Sequence, residues 1–207
     1  MGLRVRRWAA ALVLALVLAG AAVAEEGTTV RIRTEAGDLV VRLAADAAPV
    51  TVANFLAHVD AHGYAGASFY RVVREDNQPD DAVRIAVIQG GLGFEAEAPL
   101  PPIPHETTRE TGLAHRDGTI SMARREPGTA SSEFFVCVGD QPELDFGGRR
   151  NPDGQGFAAF GRVVEGMDVV RRIHGGETGE TTDARGRFAT QLLAEPLRIL
   201  AVERLAP

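Results

Sequence analysis

Several residues of the chain resemble parts of known catalytic motifs, but none of these motifs is complete. The segment His105–Arg109 begins like the H-E-x-x-H zinc motif, but Arg109 occupies the position of the second histidine, so one ligand is missing. The chain also has neither a G-x-S-x-G nucleophile elbow nor a G-x-x-x-x-G-K phosphate loop. The sequence therefore predicts no metal site, no cofactor and no obvious nucleophile, which favours a function that needs none of them.

One cysteine and one acidic loop are the other candidates for chemistry. Cys137 is the only cysteine, so it cannot form an internal disulfide, and it lies in an apolar, strand-like run. A buried, inert thiol is expected there, with a reactive thiol as the distant alternative. Asp76, Asp80 and Asp81 lie in the segment 74–84, but their spacing matches no calcium loop. We expect a solvated acidic loop.

The first 24 residues have the pattern of a secretory signal peptide. Three arginines precede an apolar run from Trp8 to Val23, and an A-x-A cleavage site ends at Ala24. A membrane anchor is the weaker alternative, because the run is shorter than the ~20 residues of a spanning helix. We therefore expect residues 1–24 to be removed on export, which leaves no stable membrane insertion. A bacterial periplasm is the expected compartment, because the signal is short and the chain has no lysine.

The remaining residues, 25–207, are long enough for a single domain with a sizeable core. Loss of the three arginines changes the formal net charge from −6 for the whole chain to −9. An acidic domain without a basic cluster is a poor candidate for binding nucleic acid, so no nucleic-acid partner is expected. A monomer is expected as well.

Apolar residues in this domain alternate over short runs, which is typical of strands. Val30 and Ile32 alternate with arginines, and the alternation resumes after a turn signal at Gly37-Asp38, which predicts an antiparallel hairpin. Other strand-like runs occupy 68–73, 85–89, 119–123, 134–138, 157–163 and 197–202. Helical spacing of apolar residues predicts helices over 52–59 and 166–174. Many short strands between Gly and Pro turns favour a mainly β sandwich or barrel.

Three long polar segments separate the predicted elements. They are 74–84, 146–156 and 175–190, and such loops on a β scaffold either carry function or are tolerated insertions. His58 and His62 lie near the end of the first predicted helix. We expect both histidines to be in solvent.

Six short segments of the chain follow one another in an order that is found in a known family. They are Phe69–Val73, Ile88–Gly91, Gly118–Ala123, Ser132–Val136, Leu144–Asp145 and Phe160–Val163. On these segments the chain resembles the cyclophilins, which are peptidyl-prolyl cis-trans isomerases, and it looks like a divergent, exported bacterial member. The resemblance covers nearly all of the mature chain. It implies a closed eight-stranded antiparallel barrel capped by two α-helices, with the active groove on the outside of the barrel.

Isomerisation of an X-Pro bond needs no metal, cofactor or covalent step. Rotation must break amide resonance, a barrier of ~18–20 kcal/mol, and a site lowers it by binding the twisted bond more tightly than either planar form. Twisting gives the proline nitrogen a lone pair, which a fixed arginine can bind because arginine is always charged and has several donors. By resemblance, Arg71 is this donor and Gln89 holds the substrate backbone. The resemblance further implies a groove lined by Ala123, Glu133, Phe135, Leu144 and Phe157, with Phe135 and Leu144 as walls of the proline pocket.

The chain departs from the family's usual pattern at several groove positions. Ala86-Val87 stands where Phe-Met is usual, so a large pocket wall is missing. Either the insertion 74–84 supplies a replacement or the pocket is shallower. Glu133 replaces a glutamine and adds negative charge near the groove. Glu143 replaces a tryptophan, and Phe157 stands at the position of a histidine. We expect weak binding of the cyclic peptide drugs that favour the tryptophan, and an altered peptide preference.

Two functions from different classes remain open from the sequence. The first is an isomerase that acts on proline-containing peptides and assists the folding of unfolded exported proteins. The second is a cyclophilin-like peptide-binding or chaperone module with little catalytic activity. Arg71, Gln89 and Phe135 favour the first function, whereas Ala86 and Glu133 keep the second one open. A structural barrel with a vestigial groove is a third, weaker alternative.

Overall fold

A computed structural model describes residues 28–78, 82–93, 96–179, 188 and 190–206. The predicted signal peptide lies outside these residues, and so do two of the three aspartates of the acidic loop. Within the described ranges, no helix is long and apolar enough to cross a membrane.

Eight strands form a closed barrel. They are β1 (Thr29–Thr34), β2 (Gly37–Leu43), β3 (Ser68–Val73), β4 (Val87–Gly91), β5 (Thr119–Met122), β6 (Phe134–Cys137), β7 (Ala158–Glu165) and β8 (Leu192–Leu205). Around the barrel the order is β1-β2-β7-β5-β6-β4-β3-β8, and β8 pairs with β1 to close it. All of these pairings are antiparallel. The prediction of a mainly β, closed eight-stranded barrel is confirmed.

Three α-helices accompany the barrel in the described part of the chain. They are α1 (Pro49–Asp60), α2 (Thr108–Thr111) and α3 (Met167–His174). The two predicted helices correspond to α1 and α3, whereas α2 is a single turn that the sequence pattern did not predict. Short 3₁₀ turns at Glu75–Asn77 and Pro142–Leu144 lie in the connecting segments.

The first hairpin shows why alternating residues form this barrel. Val30 and Ile32 of β1 are fully buried, while Arg31 and Arg33, which alternate with them, lie on the outer surface. Successive strand side chains point to opposite faces, so one face fills the core and the other meets water. The turn between the strands is at residues 35–36, just before the Gly37-Asp38 pair that signalled it, and Gly37 has φ +127°. Glycine adopts this φ at little cost because it has no Cβ.

Aromatic side chains fill the barrel interior beneath α1. The Phe55 ring on α1 contacts Tyr64, Phe134 and Phe160, with ring centroids 5.2–5.8 Å apart. Phe134 meets Phe55 edge to face at an interplanar angle of 89°, a geometry that favours aromatic pairs beyond their area burial. The helix is thus joined to β6 and β7 by the core itself.

The segment that begins like a zinc motif instead caps helices. The Glu106 carboxylate accepts hydrogen bonds from the backbone N–H groups of Val50 (3.1 Å) and Thr51 (2.7 Å) at the start of α1. Thr107 and Glu110 form a reciprocal capping box that starts α2. Backbone N–H groups in a first helical turn have no partner within the helix, and a negative charge is favourable there. These polar residues therefore anchor α1 and α2.

His58 is buried, so the prediction that it lies in solvent is wrong. Its side chain is fully buried, and its ring centroid lies 5.5 Å from that of Tyr64. The buried stripe of α1 is wide enough to include Thr51 and Asn54 as well as the apolar residues, and His58 continues this stripe. His62 is exposed, as predicted.

Candidate active site

A second apolar cluster lies outside the main core, on the outer face of the barrel. Its buried members are Val73, Val87, Phe135, Cys137 and Leu144. The pair Phe134-Phe135 explains how β6 serves both clusters: Phe134 points into the main core and Phe135 points outward. We call the five residues the outer cluster. Burial raises the pKa of the Cys137 thiol, so the prediction of a buried cysteine is confirmed and its thiolate is disfavoured.

A groove of about 460 Å³ opens over the outer cluster. All seven residues that the sequence predicted for the site line it: Arg71, Gln89, Ala123, Glu133, Phe135, Leu144 and Phe157. They come from several strands and from the segments between them, so only barrel closure brings them together. No group of residues that could hold a metal ion occurs within the described part of the chain.

A β-bulge turns Arg71 toward the groove. The pairing register of β3 shifts between Phe69 and Arg71, so the strict alternation of β3 is broken there. Phe69 and Val72 belong to the main core, whereas Tyr70 and Arg71 both interact with groove residues. A bulge re-aims side chains in this way and is common next to active sites. The sequence patterns did not reveal the role of Tyr70.

The Arg71 guanidinium is held by two glutamines and an aromatic ring. Its Nη1 donates to Oε1 of Gln89 at 2.8 Å, and its Nε and Nη2 both donate to Oε1 of Gln191 at 2.9 and 2.6 Å. The Phe188 ring centroid lies 4.0 Å from Cζ of Arg71, within cation–π distance. Gln89 Nε2 also donates to the Tyr70 hydroxyl at 3.1 Å. The amide has a second N–H, so Gln89 can position Arg71 and still donate to a substrate.

Glu133 is held inside the wall of the groove. Its carboxylate accepts hydrogen bonds from the hydroxyl of Tyr70, the backbone N–H of Gly93 (3.1 Å) and the hydroxyl of Ser132 (3.2 Å). Burial raises the pKa of Glu133, although these hydrogen bonds oppose the shift. Gly91 has φ +143°, and a Cβ there would lie 2.5 Å from a Glu133 carboxylate oxygen, so a larger residue would strain the backbone and displace the carboxyl group. The negative charge expected near the groove thus belongs to a buried, hydrogen-bonded carboxyl group.

The proline pocket predicted around Phe135 and Leu144 is apolar and supported from behind. Leu144 is fully buried, and the ring of Phe135 meets that of Phe157 edge to face at 5.3 Å. The buried His115 ring stacks on Phe135 at 5.9 Å and 16°. His115 Nδ1 lies 2.7 Å from the Asp145 carboxylate and Nε2 lies 2.9 Å from the hydroxyl of Ser121. No sequence pattern indicated His115, although its partners lie in segments that resemble the family.

The rim of the groove beside Phe157 is pinned by a buried arginine. The Arg124 side chain is 1% exposed and donates to both oxygens of Asp153, at 2.7 and 2.9 Å. It also donates to the carbonyl oxygen of Gly156, and its Cζ lies 5.3 Å from the Phe157 ring centroid. Hydrogen bonding from Arg124 lowers the pKa of Asp153 to about 2. We call this pair the Arg124–Asp153 clasp; it holds the insertion 146–156 against the groove.

Apolar side chains near Ala86 line the groove. Ile85 and Val87, on either side of it, line the groove, and Phe188 lines it next to Arg71. The side-chain amide of Gln78 exchanges two hydrogen bonds with the backbone of Ile85, at 2.8 and 3.2 Å. Gln78 belongs to the insertion 74–84, so the insertion holds the backbone of one groove-lining residue, although none of its described residues lines the groove itself.

Comparison with known proteins identifies the family to which this barrel and groove belong. The model for "Cyclophilin type peptidyl-prolyl cis-trans isomerase/CLD" matches residues 29–201. A peptidyl-prolyl cis-trans isomerase of Streptomyces antibioticus is 36% identical over 178 residues, which cover 84% of this chain and 99% of the relative. Peptidyl-prolyl cis-trans isomerase B of Escherichia coli (strain K12) is 37% identical, over 73% of this chain and 87% of its own length. The chain belongs to the cyclophilin-type peptidyl-prolyl cis-trans isomerases, and its activity is isomerisation of X-Pro bonds.

Solved structures support the same fold. A cyclophilin-type isomerase of Cryptosporidium parvum superposes with a TM-score of 0.68 at 20% identity, over 87% of this chain and 98% of that one. A crystal structure of the same isomerase in the presence of the dipeptide Ala-Pro gives a TM-score of 0.67, over 86% of this chain and 99% of that one. The predicted family and its barrel are confirmed.

Proposed function

We propose that X-Pro bonds are isomerised in the groove over the outer cluster, with Arg71 as the catalytic residue. The observation that carries the proposal is the position of Arg71, whose guanidinium lines the same groove as the apolar side chains of Phe135, Leu144 and Phe157. The apolar pocket grips the proline ring while the acyl side of the bond rotates. Arg71 donates to the proline nitrogen as its lone pair develops, so it binds the twisted bond more tightly than the planar one. Gln89, Ala123 and Glu133 line the rest of the peptide path.

The energy of one hydrogen bond sets what Arg71 alone can contribute. A hydrogen bond to a charged group is worth ~1.5–3 kcal/mol, and each ~1.4 kcal/mol is a tenfold change in rate. Arg71 therefore contributes roughly one to two orders of magnitude in surroundings that resemble water. A larger contribution requires a dry, preorganised site, and the buried Phe135 and the amide contacts of Arg71 favour such a site.

Substitution of Arg71 by alanine tests this mechanism. Catalysed cis/trans exchange of a short Ala-Pro peptide is measured by NMR for the parent and for Arg71→Ala. Arg31→Ala is the matched control, because Arg31 lies on the outer face of β1 with 41% of its side chain exposed. We expect Arg71→Ala to lose at least tenfold in kcat and the control to keep full activity. Peptide binding without acceleration by the parent would instead support the peptide-binding module.

We also propose that the protein acts on unfolded exported proteins in a bacterial periplasm, as a monomer. The proposal is supported by the signal-peptide pattern of residues 1–24 and by the acidic character of the remaining chain. Mass spectrometry of the N-terminus after cell fractionation tests it. A periplasmic chain that begins at Glu25 is expected, and a cytosolic chain that begins at Met1 would contradict export.

A further inference from the structure

The side chain that contributes two hydrogen bonds to Arg71 comes from a residue that no sequence pattern singled out. Gln191 immediately precedes β8, and only 7% of the residue is exposed. Its Oε1 accepts hydrogen bonds from Nε (2.9 Å) and Nη2 (2.6 Å) of Arg71. We propose that Gln191 is a positioning residue, which fixes the plane and the direction of the Arg71 guanidinium for isomerisation. This inference rests on the proposed catalytic role of Arg71.

Gln191 and Gln89 hold different edges of the same guanidinium. Gln89 accepts from Nη1, whereas Gln191 accepts from Nε and Nη2. The contact at Nη1 and the Phe188 ring restrain the group, and the two contacts at Nε and Nη2 fix its second edge and thereby its direction. Arginine otherwise loses much rotamer freedom when it is ordered. A guanidinium that is ordered before the substrate arrives does not have to lose this freedom in the transition state.

Gln191 can act in this way because its own position is fixed. Its Nε2 donates to the backbone carbonyl of Asn77 at 3.0 Å, and its backbone carbonyl accepts from the N–H of Val72 at 2.9 Å. The side chain of Asn77 in turn donates to the carbonyl oxygens of Val72 (3.0 Å) and Thr190 (3.2 Å). Asn77 belongs to the insertion 74–84. The insertion therefore also fixes the position of Gln191, which in turn orients Arg71.

An amide is suited to this contact for an electrostatic reason. A neutral carbonyl oxygen orients the guanidinium without adding an opposite charge next to it. A carboxylate at the same place would form an ion pair with Arg71 and weaken its attraction for the proline nitrogen. The carboxylate would also face the Asn77 carbonyl with no N–H to donate.

The substitution Gln191→Met tests the proposal, because methionine has a similar length and no strong hydrogen-bonding group. Exchange of the Ala-Pro peptide is measured in the parent, in Gln191→Met, in Arg71→Ala and in the double variant. Gln141→Met is the matched control, since the Gln141 side chain donates to the Val138 carbonyl away from the groove. We expect Gln191→Met to lower kcat about tenfold, equal to about 1.4 kcal/mol, with KM changed less than about twofold. In the Arg71→Ala background the same substitution should change nothing further.

Two outcomes would overturn the proposal. One is a kcat of Gln191→Met equal to that of the parent, and the other is an equal loss in both backgrounds, because Gln191 would then act independently of Arg71. If Arg71→Ala itself keeps full activity, the proposed role of Arg71 fails and this inference fails with it. If Gln191→Met does not fold, the ¹⁵N resonance of Arg71 Nε in the parent tests the proposal instead. Hindered rotation about Nε–Cζ would support the positioning role of Gln191, and free rotation would refute it.

Discussion

Removal of Arg124 should loosen the groove rim and destabilise the fold, although the residue makes only a few contacts. In Arg124→Ala, the clasp to Asp153 is lost and the carbonyl of Gly156 loses its side-chain donor. Phe157 also loses the guanidinium that faces its ring. Because Phe157 packs on Phe135, the loss reaches the predicted proline pocket.

The size of the effect follows from burial. Removing one partner of a fully buried ion pair costs ~3–5 kcal/mol, because the other charge is left without compensation. The Arg124 side chain is 1% exposed, but that of Asp153 is 34% exposed, so water can solvate the remaining carboxylate. The buried carbonyl of Gly156 adds a cost of ~1–3 kcal/mol for a lost donor. We therefore expect a loss of about 2–4 kcal/mol in the free energy of unfolding and a KM that rises a few-fold.

Urea denaturation at neutral pH measures this loss, and a second ion pair provides the control. Arg116 and Asp140 meet at the same kind of distance, 2.9 Å, but their side chains are 66% and 54% exposed. Exposed pairs contribute little because water solvates both charges in the unfolded and the folded state. Arg116→Ala should therefore change stability by no more than the error of the measurement. Equal losses for the two variants would refute the argument that burial decides the strength of the clasp.

Acid should weaken the clasp in a defined range. Arg124 lowers the pKa of Asp153 from an ordinary 3.8 to about 2, so the folded state favours the ionised carboxylate. The stability that the pair contributes is complete above about pH 4 and is lost as the pH falls toward 2. Asp153→Asn should remove this part of the acid dependence, as measured by unfolding at pH 3 and pH 6.

Two further predictions concern buried titratable groups. Burial lowers the pKa of His58, so stability should be greatest above about pH 6.5 and fall at lower pH, by at most ~1.4 kcal/mol per pH unit. His58→Leu should reduce the difference between the free energies of unfolding at pH 5.5 and pH 7.5. Part of the remaining difference is due to His174, whose pKa is also lowered by burial. An unchanged difference would contradict the prediction. For Glu133, burial raises the pKa, so the folded state favours the protonated carboxyl group. Its contribution to the stability of the fold is complete below about pH 4.5 and is lost as the pH rises. The free energy of unfolding of Glu133→Gln, compared with that of the parent, should therefore be higher at pH 8 than at pH 4. If the difference between variant and parent is the same at both pH values, burial of Glu133 does not explain it.

Sequence patterns were informative where the cause of structure is local. Alternation in β1 and β2 and the helical spacing of α1 depend on residues a few positions apart, so the elements could be predicted. β8 was predicted only over 197–202, because several of its residues face solvent and its apolar pattern is weak. The burial of His58 could not be predicted, because the buried face of α1 extends beyond its apolar residues and includes polar ones.

The sequence by itself determined the mainly β class, the two longer helices and, through the resemblance, the residues of the groove. It could not determine how Arg71 is held. Arg71 and Gln191 are 120 residues apart in the chain, and Arg124 and Asp153 are 29 apart. Local spacing carries no information on such pairs, because their approach depends on the closure of the barrel and on the paths of two insertions. The tertiary structure alone therefore decided which polar groups support Arg71 and the pocket beside it.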